Sequence, residues 1–148
     1  MKVSSQSGVV TAPSLEPGTC DAQYLTSSRD VKILLVDDHE IIRKGLHELI
    51  DGHFGWKVCG EAGNGKEAVE KALALNPDIV VIDLLMPVMD GIEATKQIRQ
   101  LCPATKIVMV SMYDSQQPAA EKAGANAYVS KTLTWRDLRD AISCCYGR

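Results

Sequence analysis

The run Ile79-Val80-Val81-Ile82, bounded by Asp78 and Asp83, constrains this chain more than any other feature. Successive side chains of a strand point to opposite faces, so four apolar residues in a row require protein on both sides of the sheet. From Val31 onward, short β-branched runs alternate with longer segments of helical period, and no internal repeat is visible. That is the pattern of an open parallel sheet with helices on both faces. Strands are predicted at Val31 to Val36, Trp56 to Glu61, Asp78 to Asp83, Lys106 to Val110 and Ala125 to Val129. The second is short and polar enough for an edge.

The helices between them carry their own punctuation. Ile41, Ile42, Leu46, Leu49 and Ile50 mark one face of the first. Asn64 with Glu67, and Asp90 with Glu93, have capping-box spacing at the starts of the second and third. The second ends before Pro77 and the third near Leu101. A short fourth helix fits between Ser115 and Gly124 with Pro118 in its first turn. Thr134 with Asp137 caps the last, Leu133 and Leu138 form a hydrophobic staple across that cap, and Leu138, Ala141, Ile142 and Cys145 form the packing stripe. Five βα units in this order predict an α/β fold, a doubly wound five-stranded parallel sheet of order 2-1-3-4-5 with five helices.

Residues 1–30 differ sharply: six serines, Pro and Gly between Pro13 and Gly18, and no periodic apolar stretch. Such a segment cannot bury enough surface to offset its ordering entropy, so a disordered tail is expected at 1–30 and a single folded domain at 31–148. The net charge is -3, and the part from Val31 is itself mildly acidic. No basic excess is available for a phosphate backbone or an anionic lipid surface, so direct nucleic-acid and membrane binding are not expected. No apolar run approaches the ~20 residues of a membrane helix. Five cysteines without a C-x-x-C pair read as reduced thiols, with Cys59 and Cys102 acting as small hydrophobes. With no secretory h-region at the N-terminus, the expected location is the cytoplasm.

Ligands of a doubly wound sheet bind at the carboxyl ends of its strands. Those ends carry Asp37-Asp38, Asp83, Ser111 and Lys131. One strand-end Asp is usually a cap or turn residue, but matching residue types on four βα loops form a constellation. Three crowded carboxylates repel unless a cation joins them. Mg²⁺ suits such a site because it takes few protein oxygens and keeps several waters. Lys131 adds positive charge and Ser111 a hydroxyl donor, which together make a site for a phosphoryl group.

Val36-Asp37-Asp38-His39, Asp83-Leu84-Leu85-Met86-Pro87-Val88-Met89-Asp90-Gly91, Ser111 and Tyr128-Val129-Ser130-Lys131 resemble the receiver domain of bacterial two-component response regulators, a flavodoxin-like, CheY-like fold. The resemblance covers Val31 to about Cys145. Ile92-Glu93-Ala94-Thr95 and Gly124-Ala125 look most like the NarL/FixJ subclass. It implies Asp83 as phosphoacceptor, with Lys131 and Ser111 holding the phosphoryl oxygens. Asp38, Asp83 and the Leu85 carbonyl would bind Mg²⁺ or Mn²⁺, and Asp37 would orient a metal water. Ser111 and Tyr128 would switch the face made by the fourth helix, fifth strand and fifth helix. The implied partners are a histidine kinase or phosphotransfer protein, and a second copy on phosphorylation. Such a protein is a phosphoacceptor that assists its own phosphorylation, not an enzyme.

Departures from the family pattern matter too. Thr132 follows Lys131 where the family often has a cis proline. Leu85 and Tyr113 flank the approach of the hydrolytic water without a carboxylate or amide, which implies slow self-dephosphorylation. The sequence ends at Arg148, so the expectation is either a receiver acting alone or one whose helix-turn-helix output is missing. The alternative function is a pseudo-receiver that binds partners without phosphorylation. A cobalamin-binding D-x-H-x-x-G motif fails at Ile42, which leaves His39 as a first-turn helix residue. A haloacid-dehalogenase-type D-x-D fails at Leu85. A dinucleotide site would need glycines where Asp37-Asp38-His39-Glu40 stand.

Overall fold

The computed structural model describes residues 29–131 and 135–146. In chain order the elements are β1 (Val31–Val36), α1 (Glu40–Asp51), β2 (Trp56–Ala62), α2 (Gly65–Leu75), β3 (Ile79–Asp83), α3 (Gly91–Leu101), β4 (Lys106–Ser111), a 3-10 turn (Asp114–Gln116), α4 (Gln117–Ala123), β5 (Ala127–Ser130) and α5 (Trp135–Cys145). The five strands are all parallel in the order β2-β1-β3-β4-β5. Fold class and strand order are those the alternation of runs predicts. The 1–30 tail reading falls on residues that, apart from Arg29 and Asp30, lie outside the described set. So do Leu133 and Thr134, and with them the expected cap and staple of the last helix, and the Lys131–Thr132 peptide.

Alternation along the strands divides the core in two. Leu34, Val36, Val80, Ile82, Ile107 and Met109 face α2, α3 and α4, where Ala68, Ala72, Ala94, Ile98 and Ala120 meet them. Ile33, Leu35, Ile79, Val81, Val108 and Val110 face the other side and pack with Ile50, Leu138 and Ile142 of α1 and α5. The small alanines let α2, α3 and α4 sit close to the sheet, so the strand residues on that side supply the bulk. All five residues of β3 are buried, as its uninterrupted apolar run requires.

Strand ends shift by one or two residues where a side chain competes with the ladder. Asp78 precedes β3 because its carboxylate accepts from the Lys32 N–H at 2.8 Å while its own N–H donates to the Lys32 carbonyl. β5 starts at Ala127, not Ala125, because residues 124–126 close α4. Gly124 takes the left-handed conformation (φ 114°), the Ala125 N–H returns to the Ala120 carbonyl, and the Asn126 side chain accepts from the Ile107 N–H at 2.8 Å. β1 and β2 slip register between Ile33 and Leu34, leaving Cys59 as the extra residue of a bulge.

Asn64 and Asp90 cap α2 and α3 as predicted, accepting from the N–H of Glu67 at 2.8 Å and of Glu93 at 2.9 Å. The Glu67 carboxylate reaches one residue further back than a capping box does, to the Gly63 N–H at 2.7 Å, and that bond holds its pKa below the usual carboxylate range. At the far end of α3, the Arg99 guanidinium donates to the carbonyls of Pro103, Thr105 and Gly124 and to the Asn126 side chain, at 2.7 to 3.0 Å.

The apolar face expected of α1 is only half used. Ile50 is buried and Leu46 packs on the core, but Ile41 is 87% exposed and Ile42 and Leu49 are also open. Polar side chains hold the helix instead. Arg43 Nε lies 2.6 Å from Glu61 Oε1, and the His47 ring bridges Glu61 at 2.5 Å and Asp51 at 3.1 Å. Burial alone would raise the Glu61 pKa, but Arg43 and His47 outweigh it and hold this carboxyl below the usual range. Apolar periodicity could not reveal an anchor made of two polar residues four apart on the same helix.

Candidate functional site

The parallel sheet delivers its charged strand ends to one edge. Asp37 and Asp38 follow β1, Asp83 ends β3, Ser111 ends β4, and Lys131 follows β5. The Lys131 N–H donates to the Ser111 carbonyl at 2.8 Å, which carries the β4–β5 pairing one residue past the strand and holds the lysine over the crevice. Its Nζ lies 3.2 Å from Asp37 Oδ2 and 3.2 Å from Asp83 Oδ1, with both carboxylates almost wholly buried. Burial raises the Asp83 pKa, with Asp37 and Asp38 adding to the rise and Lys131 opposing it. For Lys131, burial works against the charge, yet Asp83 and Asp37 overcome it and lift the pKa. The lysine thus stays protonated, and Asp83 has only part of its charge offset.

Asp38 is more open than Asp37, its side chain 29% exposed. His39 begins α1 as its N-cap residue rather than lying in the first turn. Its backbone N–H donates to Asp37 Oδ1 at 2.8 Å, and its ring Nδ1 lies 3.1 Å from Asp38 Oδ1 and 3.3 Å from Asp37 Oδ1. One ligand atom from each of Asp37, Asp38, His39 and Asp83 falls within 4.8 Å of the others. Arg43 donates to the Asp37 carbonyl at 2.5 Å, so the α1 anchor also touches the site.

The loop after Asp83 is folded tightly by contacts that exclude a side chain. The Gly91 N–H donates to the Leu84 carbonyl at 2.7 Å, and a Cβ there would lie 2.3 Å from the Asp83 carbonyl oxygen. Gly65, at the start of α2, donates to the Met89 carbonyl at 3.0 Å and is equally intolerant of a Cβ. Val88 takes φ 70°, a left-handed conformation that a β-branched residue rarely adopts. Leu85 is more than half exposed. Ser111 is buried, and its hydroxyl oxygen accepts from the Tyr113 N–H at 3.0 Å. The Tyr128 hydroxyl donates to the Tyr113 carbonyl. Ser111 and Tyr128 therefore act on the same residue of the β4–α4 loop.

Residues 33–143 match the response regulator receiver domain family. The chain belongs to that family. This receiver is 40% identical over 119 residues to the response regulator protein VraR of Staphylococcus saprophyticus, an alignment covering 79% of the chain and 57% of VraR. It spans little more than half the length of such relatives. Among solved structures it is similar to a LuxR-family two-component response regulator from Aurantimonas sp. SI85-9A1, with 39% identity and TM-score 0.76 over 80% of this receiver and 87% of that chain. The chain in a CheX-CheY-BeF3-Mg²⁺ complex from Borrelia burgdorferi is 25% identical with TM-score 0.75, over 82% and 93%. The LuxR-family relative agrees with the NarL/FixJ pattern of the sequence. No helix among the described residues is long and apolar enough to cross a membrane.

Of the residues singled out in the sequence, the fold gathers Asp37, Asp38, Asp83 and Lys131 in one crevice, with Ser111 and Tyr128 joined through Tyr113. Sequence reasoning missed His39, Arg43 and Gly65. His39 was legible in principle, since a residue two after a buried Asp can fold back onto its carboxylate. The close approach of Gly65 to Met89 joins segments with no shared pattern, and no local signal announces it.

Proposed function

We propose that Asp83 accepts a phosphoryl group from a histidine kinase or phosphotransfer protein, and that this receiver passes the event to a partner or output domain. One observation carries the reading: a half-buried lysine 3.2 Å from each of two buried carboxylates at the ends of β1 and β3. Lys131 keeps Asp83 partly compensated while leaving one of its oxygens for a reactant. In the transfer, an Asp83 oxygen bonds to phosphorus as the bond from phosphorus to the donor's imidazole nitrogen breaks, and that nitrogen keeps the electron pair. Lys131 and the Ser111 hydroxyl would hold the phosphoryl oxygens, positioning them for in-line displacement.

The donor set fits a divalent cation. Lys131 pairs with only two of the three carboxylates, Asp37 and Asp83, and a hard ion such as Mg²⁺, or Mn²⁺, relieves the repulsion that remains. Asp38, Asp83 and the Leu85 carbonyl would hold it, with Asp37 acting through a water. Once bound, it neutralises charge on the phosphoryl oxygens. The beryllofluoride and magnesium named with the Borrelia protein support the same chemistry here by likeness.

Phosphorylation would draw Ser111 toward the new oxygens and release its hold on the Tyr113 N–H, shifting Tyr128 and the α4, β5 and α5 face. A homodimer or a DNA-binding output would read that face, as the LuxR-family relatives suggest. Incubation with acetyl phosphate and Mg²⁺ tests the core of this reading. Wild type should gain one hydroxylamine-sensitive phosphoryl group, and Asp83→Asn none. A wild type that stays unmodified would instead mark a pseudo-receiver.

A further inference from the structure

We propose that His39 is a direct ligand in the acidic crevice and tunes it toward first-row transition dications over Mg²⁺. The inference rests on the cation site proposed above and names which ion that site favours.

The geometry is that of a coordination edge. Two ligands with bonds of about 2.1 Å set at right angles lie about 3.0 Å apart. The His39 Nδ1 is 3.1 Å from Asp38 Oδ1, so nitrogen and oxygen already stand nearly at that spacing. The ring is not needed to satisfy Asp37. One oxygen of that carboxylate accepts the His39 backbone N–H at 2.8 Å and the other faces Lys131 at 3.2 Å. The backbone bond anchors His39 at the start of α1, so the imidazole reaches the cluster from a fixed Cα. Its side chain is 63% exposed, which leaves a path for an incoming ion.

Imidazole is a borderline donor. It gains little from Mg²⁺, which prefers an all-oxygen shell, and much from Co²⁺, Ni²⁺ or Zn²⁺. With Asp38 and Asp83 it gives a mixed nitrogen and carboxylate set at one side of the site, leaving the remaining positions to water or phosphoryl oxygen.

Co²⁺ and Mg²⁺ binding to the full chain, measured at one pH by calorimetry and by the visible absorption of Co²⁺, test this in wild type, His39→Ala, His39→Asn and Asp38→Ala. Asn keeps a good N-cap and offers only oxygen. Both His39 variants should bind Co²⁺ about tenfold more weakly or worse, with a changed absorption band, while Mg²⁺ affinity barely moves. Unchanged Co²⁺ affinity and spectrum in both, alongside loss of both ions in Asp38→Ala, would overturn the role of His39 and leave the cation site standing. Loss of neither ion in Asp38→Ala would overturn the site itself, and the inference with it.

Discussion

The hydroxyl of Tyr128 donates to the main-chain carbonyl of Tyr113, while the N–H of that same residue is held by the buried Ser111 hydroxyl. The β4–α4 loop is thus gripped from the strand end on one side and from β5 on the other. Tyr128→Phe removes one grip, worth about 1 kcal/mol. Amide exchange over residues 112–116 should quicken about fivefold, with the rest of the sheet unaffected. Unchanged protection there would mean the bond does not order the loop.

Ser111→Ala removes the other grip and the proposed phosphoryl contact together. Sedimentation with and without a beryllofluoride mimic should show a shift in wild type and a much smaller one in the variant. Equal shifts in the two proteins would detach Ser111 from the switch.

Val88 carries strain of about 1 to 3 kcal/mol in its left-handed conformation. Glycine adopts that conformation freely but costs more chain entropy on folding. Val88→Gly should therefore raise stability in urea by about 1 kcal/mol. Val88 is exposed, so little packing is lost in exchange. A lower urea midpoint would show that the valine side chain contributes more than its backbone costs.

Glu61 gives a pH dependence with a definite sign. Its folded pKa lies below the unfolded one, so its ion pairs stabilise the fold at pH above the unfolded value, about 4.3. That stabilisation drains away as pH falls through the lower folded value. Glu61→Gln should be about 1 kcal/mol less stable at neutral pH, and its deficit should shrink as the solution is acidified below about pH 4. A deficit independent of pH would point to lost packing instead of lost charge.

Leu85 and Tyr113 are both more than half exposed, at the loops that leave the ends of β3 and β4. Neither offers a carboxylate or amide to orient a water. Leu85→Asn and Tyr113→Glu should each speed phosphoryl loss roughly tenfold once the donor is removed, by positioning that water. Decay at the wild-type rate in both would show that these side chains do not control access.

The sheet was legible because burial on both faces leaves an unmistakable mark: Ile79 to Ile82 could sit nowhere but at the centre. The charged strand ends were legible for the same reason, since strand order decides which loops meet. What escaped was held by side chains acting across elements. Arg43 and His47 anchor α1 through Glu61, which lies on β2. The first residues assigned to β5 belong to the end of α4, because Asn126 spends its amide oxygen on the β4 backbone. His39 was read by its place in the chain, and its ring position depended on a turn around Asp37.

Helix α3 begins at the loop that follows Asp83 and runs eleven residues, about 16 Å, to Leu101, with Arg99 in its last turn. Both ends are pinned: the first turn by Asp90 and by the Gly91 bond to Leu84, the last by an arginine that holds two loops at once. A helix is stiff along its axis, so it acts as a strut between the loop after Asp83 and the turn that launches β5. The rod therefore holds the loop after Asp83 and the start of β5 at a fixed spacing, tying the centre of the sheet to its edge without passing through Ser111.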